Sequence, residues 1–314
     1  IVLMAVERGM REGRIPHDGS LIMVRNDADA IGMSRHYLRR IRQEADAHPE
    51  TDVFSGGLRW GTHKYRDYPG YGIVMAFKEA LRALTLRTSC TYRSRPGTSG
   101  SNVAVRLSAL AATGGVGNSA YHGAGGDDVE IGLRVLAARS RRAGSPEGPR
   151  PIRYVTGAQI DASGERPLAT YRSGRSVVET WDSYNQGPAG YTPRTAVQSA
   201  GAIGPERFDP SSVVDRIERH FNDLTLGWYT DPSLVDAALR CIIGGRDEQG
   251  RRTFELRSIG DRTAVTFTNA GRSWLARRLV ETRLGAPDPY GRRVRSALYG
   301  SADSTNARMV SALS

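Results

Sequence analysis

The chain is 314 residues long, with 44 basic against 33 acidic residues, a formal net charge of +11 and an isoelectric point near 10.0. Its 39% hydrophobic and 25% charged residues and mean hydropathy of −0.44 exclude a fibrous or wholly disordered polymer. No apolar run approaches the roughly 18 residues that a membrane-spanning helix needs, and two cysteines, Cys90 and Cys241, are too few for a disulfide framework or a four-thiolate metal site.

Ile1 to Ala5 is apolar but short, and Glu7 follows it, so no targeting signal is read. The expected setting is a virion, the cytoplasm or the nucleus. Apolar residues repeat at helical spacing over Ala28 to Ala47 (Ile31, Met33, Leu38, Ile41) and over Gly72 to Arg87 (Ile73, Met75, Phe77, Leu81, Leu84), which predicts two amphipathic helices. Val103 to Ala112 and Val129 to Ala143 continue the pattern on either side of a glycine-rich loop, Gly114 to Gly126. The next stretch gathers Arg139, Arg141, Arg142, Arg150 and Arg153 among Gly144, Pro146, Gly148, Pro149 and Pro151. Breakers at that density exclude a regular helix or a central strand and predict an exposed basic loop. Here the chain divides into a mainly helical region, 1–143, and a mixed strand and helix region, 144–314, whether these are two domains or one.

Beyond the loop come short extended pieces, Ile152 to Ile160, Leu168 to Arg172 and Val177 to Trp181. Helices are predicted at Pro210 to Leu224 and Pro232 to Ile243, because Asp209 and Asp231 each precede a first-turn proline as caps. Thr253 to Ile259 and Thr263 to Thr268 alternate around a Gly260-Asp261 turn, the pattern of a hairpin, and a helix follows over 270–284. The polar tail from Arg292 to Ser314 docks as a helix or frays. The expected fold class is α+β: a helical N-terminal half and a strand-bearing C-terminal half that ends in a hairpin plus helix.

Charge points to a partner class. All but Lys64 and Lys78 of the basic residues are arginine, whose planar fork of donors binds phosphate bidentately and stacks on bases. A GC-rich genome also exchanges lysine for arginine, so codon usage is read as the larger cause of the ratio and nucleic acid as the explanation of the excess charge.

Three local patterns resemble known families. Asp29 to Arg40, with Gly32, Ser34, Arg35, Arg39 and Arg40, resembles the turn and recognition helix of helix-turn-helix DNA-binding proteins, which implies that the three arginines face phosphate or bases. The other reading is a capped amphipathic helix with a basic face. Asp261 to Leu275 resembles the wing strand and following helix of winged-helix repressors of the antibiotic-resistance type, and the resemblance implies backbone contacts by Arg251, Arg252 and Arg262. A hairpin packed on a helix is the alternative. Gly126-Asp127-Asp128, with Ser99-Gly100 upstream, resembles the metal-binding turn of RNA-dependent RNA polymerases of double-stranded RNA viruses, in which Asp127 and Asp128 would hold magnesium. The alternative is an aspartate pair capping the helix from Val129.

The six histidines form no H-E-x-x-H, the glycine-rich loop lacks the Gly-Lys-Ser/Thr ending of a phosphate cradle, and no G-x-S-x-G is present. Tyr65, Tyr68 and Tyr71, interleaved with His63, Lys64 and Arg66, are a candidate base-stacking platform. The sequence therefore predicts a structural protein without cofactor, metal or catalytic residues. It is a coat or nucleocapsid-type subunit whose partners are nucleic acid and copies of itself, with no membrane. A DNA-binding regulator is the alternative, and a polymerase-like enzyme using Asp127 and Asp128 the second alternative.

Overall fold

The computed structural model describes residues 2–14, 20–26, 30–88, 102–113, 131–132, 134–135, 152–174, 208–227 and 231–284. In chain order its elements begin with α1 (Val2–Arg11), β1 (Ile22–Arg25), β2 (Ala30–Met33), α2 (Tyr37–Ala47), β3 (Val53–Trp60), α3 (Pro69–Thr88), β4 (Val103–Arg106) and α4 (Leu107–Ala112). They continue with β5 (Ile152–Ala162), α5 (Glu165–Ser173), α6 (Pro210–Gly227), α7 (Pro232–Ile243), β6 (Phe254–Ile259), β7 (Arg262–Phe267) and α8 (Asn269–Arg283). The class is α+β, and the chain carries the expected C-terminal hairpin plus helix. Contacts group it into two units, Ile1–Leu58 with Leu86–Ile160, and Arg59–Thr85 with Asp161–Ser314. The stretch on which the sequence divides lies, up to residue 151, outside the described residues.

The first unit is built on a five-stranded sheet in the order β1-β4-β3-β5-β2. β4 runs antiparallel to both neighbours, with Ile22 opposite Arg106 and Val53 opposite Val105. β3 and β5 approach so closely that a Cβ on Gly56 would lie 1.7 Å from the Ala158 carbonyl oxygen, so glycine is required there. The N-terminal half thus contributes four strands beside its helices. Val103 to Ala112, whose apolar residues fit a helix, is a strand up to Arg106 and a helix only from Leu107. Short apolar runs do not distinguish the two by periodicity, and the branched valines favour the pleated form. Ala30 to Met33 is likewise a strand, because Ile31 and Met33 also fit a period of two. The core between sheet and helix is closed by Tyr37, Ile41 and Ala45 of α2, all buried.

In the second unit Phe77 of α3 stacks on Phe221 of α6 at 3.9 Å, and Phe221 meets Phe267 of β7 edge-on at 5.6 Å. The caps read from the sequence are present: the Asp209 carboxylate accepts from the Ser211 and Ser212 N–H groups, and Asp231 from Ser233 N–H at 2.9 Å. Leu168 to Arg172 is helical rather than extended. Gly164 and Gly174, at φ of 70° and 68°, bracket this helix, and Leu168, Ala169 and Tyr171 are buried along it.

Candidate nucleic-acid interface

In the first unit, α2 presents the arginines that the sequence singles out. Its buried face is fixed by Tyr37, whose hydroxyl donates to Asn102 Oδ1 at 2.7 Å, and by Arg106, whose guanidinium donates to the carbonyls of Ala45, His48 and Thr51 at the C-terminal end of the helix. Rotation is thereby set, and Arg35, Arg39 and Arg40 fall on the exposed side. None of the three has an acidic partner among the described residues. Arg42, on the same helix, pairs with Asp46 at 2.9 Å. Ser34 does not cap the helix: its hydroxyl donates to the Gly157 carbonyl at 2.8 Å and accepts from Gln159 N–H, pinning the turn to β5. Gly32 lies in β2, not in the turn, and what precedes α2 is a strand. The unit is therefore strand-turn-helix where the resemblance expects helix-turn-helix.

Arg153 is placed differently from its companions. On β5 its Nε donates to Glu44 Oε1 at 3.0 Å, both side chains being half-buried, so its charge is already neutralised within the unit. Arg139, Arg141, Arg142 and Arg150, and Asp127 and Asp128, lie outside the described residues.

In the second unit the hairpin is held by its inner face. Asn222 of α6 accepts from Val265 N–H at 2.7 Å and donates to the Val265 carbonyl at 2.8 Å, while Glu218 accepts from Phe267 N–H. The register pairs Glu255 with Thr266, Arg257 with Ala264 and Ile259 with Arg262 on the outer face. Arg257 and Arg262 are therefore carried outward on a fixed two-stranded arm. Arg262 has only a 4.0 Å approach to Asp261, and Arg257 has no acidic partner among the described residues. Arg257 is missed in the sequence, although alternation through the predicted strand places it opposite the buried Phe254 and Val265 face. Arg252 is exposed at the foot of the hairpin. Arg251, by contrast, is stapled to its own loop: its Nε donates to Asp247 at 2.8 Å and its terminal nitrogen to Gln249 at 2.8 Å.

The tyrosines do not form one open platform. Tyr71 is buried and donates to the Gly164 carbonyl at 3.2 Å, Tyr65 packs edge-on against it at 5.8 Å, and Tyr68 is half-buried beneath the Arg172 guanidinium at 5.4 Å. Among the described residues, no group of three His, Cys, Asp or Glu side chains is placed to hold a metal ion, and no helix is long and apolar enough to cross a membrane. The recognition helix that a winged-helix reading needs is not supplied by α7, whose Leu234, Val235, Ala237, Ala238, Leu239, Ile242 and Ile243 are all buried. The chain matches no family model, no curated protein and no solved structure.

Proposed function

We propose that this chain is a structural, nucleic-acid-associated protein of the coat or nucleocapsid type, which holds the phosphate backbone through arginine and assembles with copies of itself. The observation that supports it is the set of exposed arginines left without an acidic partner among the described residues: Arg35, Arg39 and Arg40 in one unit, Arg252 and Arg257 in the other. Neighbouring arginines are consumed internally, as Arg42, Arg153 and Arg251 are. A guanidinium on a rigid helix or hairpin with no internal counter-charge is available to an external anion, and phosphate accepts its fork of donors. Such contacts position a backbone and do not read bases. Affinity for RNA and duplex DNA measured against salt is the test. A steep logarithmic fall that becomes shallower in Arg35→Ala/Arg39→Ala/Arg40→Ala supports the reading, and a flat response removes it. Light scattering of the purified protein separates a large assembly from a small oligomer.

The second reading, a DNA-binding regulator, is favoured by one observation, the outward Arg257 and Arg262 on a hairpin between two helices. It requires a monomer or dimer and a strong sequence preference. The polymerase-like reading rests on Gly126-Asp127-Asp128 with Ser99-Gly100 upstream, and templated incorporation that is lost in Asp128→Asn decides it.

A further inference from the structure

The β6-β7 hairpin is packed on one face only. Phe254, Thr263, Val265 and Phe267 are buried on its inner face, and Asn222 and Glu218 of α6 hold the β7 backbone. Beyond Leu256 the arm leaves that support, and every residue from Arg257 to Arg262 is exposed. Side chains alternate along each strand, so the register fixes what the outer face carries. Arg257 stands opposite Ala264, and Ile259 stands opposite Arg262. The four form a block in which the arginines occupy one diagonal and the apolar residues the other. Ile259, 56% exposed, is thus an aliphatic side chain held in solvent between two guanidinium groups.

We propose that this outer face docks in the major groove of B-form duplex DNA, with Arg257 and Arg262 reaching the phosphates of opposite walls and Ile259 and Ala264 lying over the base edges. Dimensions select the groove. Two strands ~4.8 Å apart make a ribbon that the B-form major groove, ~12 Å wide and ~8.5 Å deep, admits. Arg257 on β6 and Arg262 on β7 each stand on the side of the ribbon nearer one wall, and a guanidinium donates to phosphate through paired hydrogen bonds. The floor of that groove carries thymine methyl groups, the apolar surface that an aliphatic side chain can cover. The A-form major groove of duplex RNA is deep and narrow and closed to side chains, so the same face meets RNA only along its backbone. Shape therefore discriminates where charge alone does not.

Charge complements the same partner. The acids of the hairpin itself are Glu255, opposite Thr266 at the foot of the face, and Asp261 in the turn, which approaches Arg262 at 4.0 Å. Against them stand Arg257 and Arg262 and, at the foot, Arg246 and Arg252, which face each other across an isolated antiparallel bridge. Neither Arg246 nor Arg252 has an acidic partner among the described residues, so the positive surplus lies where the strand leads out of the groove toward the flanking phosphates. The inference rests on the nucleic-acid part of the proposed function, to which it gives a duplex form and a docking face, and is independent of self-assembly.

Fluorescence anisotropy of the full chain with a short duplex, prepared in one sequence as DNA and as RNA and compared at the same salt concentration, tests it. The parent is expected to bind the DNA at least about tenfold more tightly than the RNA. Ile259→Asp should lower DNA affinity about tenfold and RNA affinity far less, with no change in melting temperature, because the side chain it replaces is already exposed. DNA whose cytosines are 5-hydroxymethylated and glucosylated has a filled major groove and every phosphate in place, and the parent should lose its preference for it. Equal affinity for DNA and RNA, equal affinity for plain and glucosylated DNA, or an Ile259→Asp chain that binds DNA as the parent does overturns the groove docking and leaves a protein that holds the backbone. Absence of salt-dependent binding to either duplex overturns the docking and the nucleic-acid reading together.

Discussion

Asn102 has no exposed surface, and its amide serves three segments at once: Oδ1 accepts from the Tyr37 hydroxyl of α2 at 2.7 Å and from Gly56 N–H of β3 at 3.2 Å, while Nδ2 donates to the Gly57 carbonyl of β3 at 2.7 Å and to the Ala158 carbonyl of β5 at 3.4 Å. Asn102→Leu would remove these buried hydrogen bonds and replace none of them, an expected loss of about 3 kcal/mol or more in urea unfolding. Nothing local announces this residue, since an asparagine in a Ser/Gly-rich stretch reads as a turn. His220 is the second such case. It is fully buried against the Tyr171 ring at 5.2 Å, and its ring nitrogens make no hydrogen bond of normal geometry. Burial pushes its pKa down to about 4, the Arg216 and Arg219 charges add to this, and the Tyr171 backbone works against it. Because the folded value lies below the ordinary 6.5, the unfolded chain binds a proton that the folded chain refuses as pH falls between these values. Stability is therefore undiminished by this group above about pH 7 and drops by about 3 kcal/mol on acidification to about pH 4. Denaturation midpoints across that range check it: the decline should flatten in His220→Phe, and a parent with no decline would contradict the assignment.

Elements were legible where punctuation is chemical and illegible where only packing decides. Asp209 and Asp231 mark the starts of α6 and α7 because a carboxylate beside a proline has few other roles, and Gly260-Asp261 marks the hairpin because few dipeptides fit so tight a turn. Leu168 to Arg172 misleads, since its helix is selected by burial of Leu168, Ala169 and Tyr171 and by glycines at its ends rather than by periodicity. For the candidate site, residue type was legible and availability was not. Arg153 and Arg35 look alike in sequence, and only the fold gives Glu44 to the first. The hairpin carries its own expectation. Arg257→Ala with Arg262→Ala should lower the salt slope of nucleic-acid binding by about two while leaving the thermal midpoint nearly unchanged, because neither side chain supports the arm that presents it.

At the scale of the molecule, the α+β class could be read from mixed periodicity, but the pairing of the sheet could not. β3 and β5 are neighbours in the sheet, and no local pattern in either names the other. β5 also stands between β3 and β2 in the strand order. A fragment ending at residue 143 lacks it, so that fragment should fail to form the first unit's sheet and should melt without a cooperative transition, whereas the intact chain melts sharply. A sharp transition in the fragment would show that the remaining strands close by themselves.

The position of β5 in the chain also sets a clock. Roughly a hundred residues separate it from β3, and at the usual pace of translation the ribosome takes ~5–20 s to supply them. Throughout that interval β2 has been made and its sheet neighbour has not. Both β3 and β2 wait on this one late strand, so the sheet of the first unit is completed only after the chain beyond residue 152 has left the ribosome.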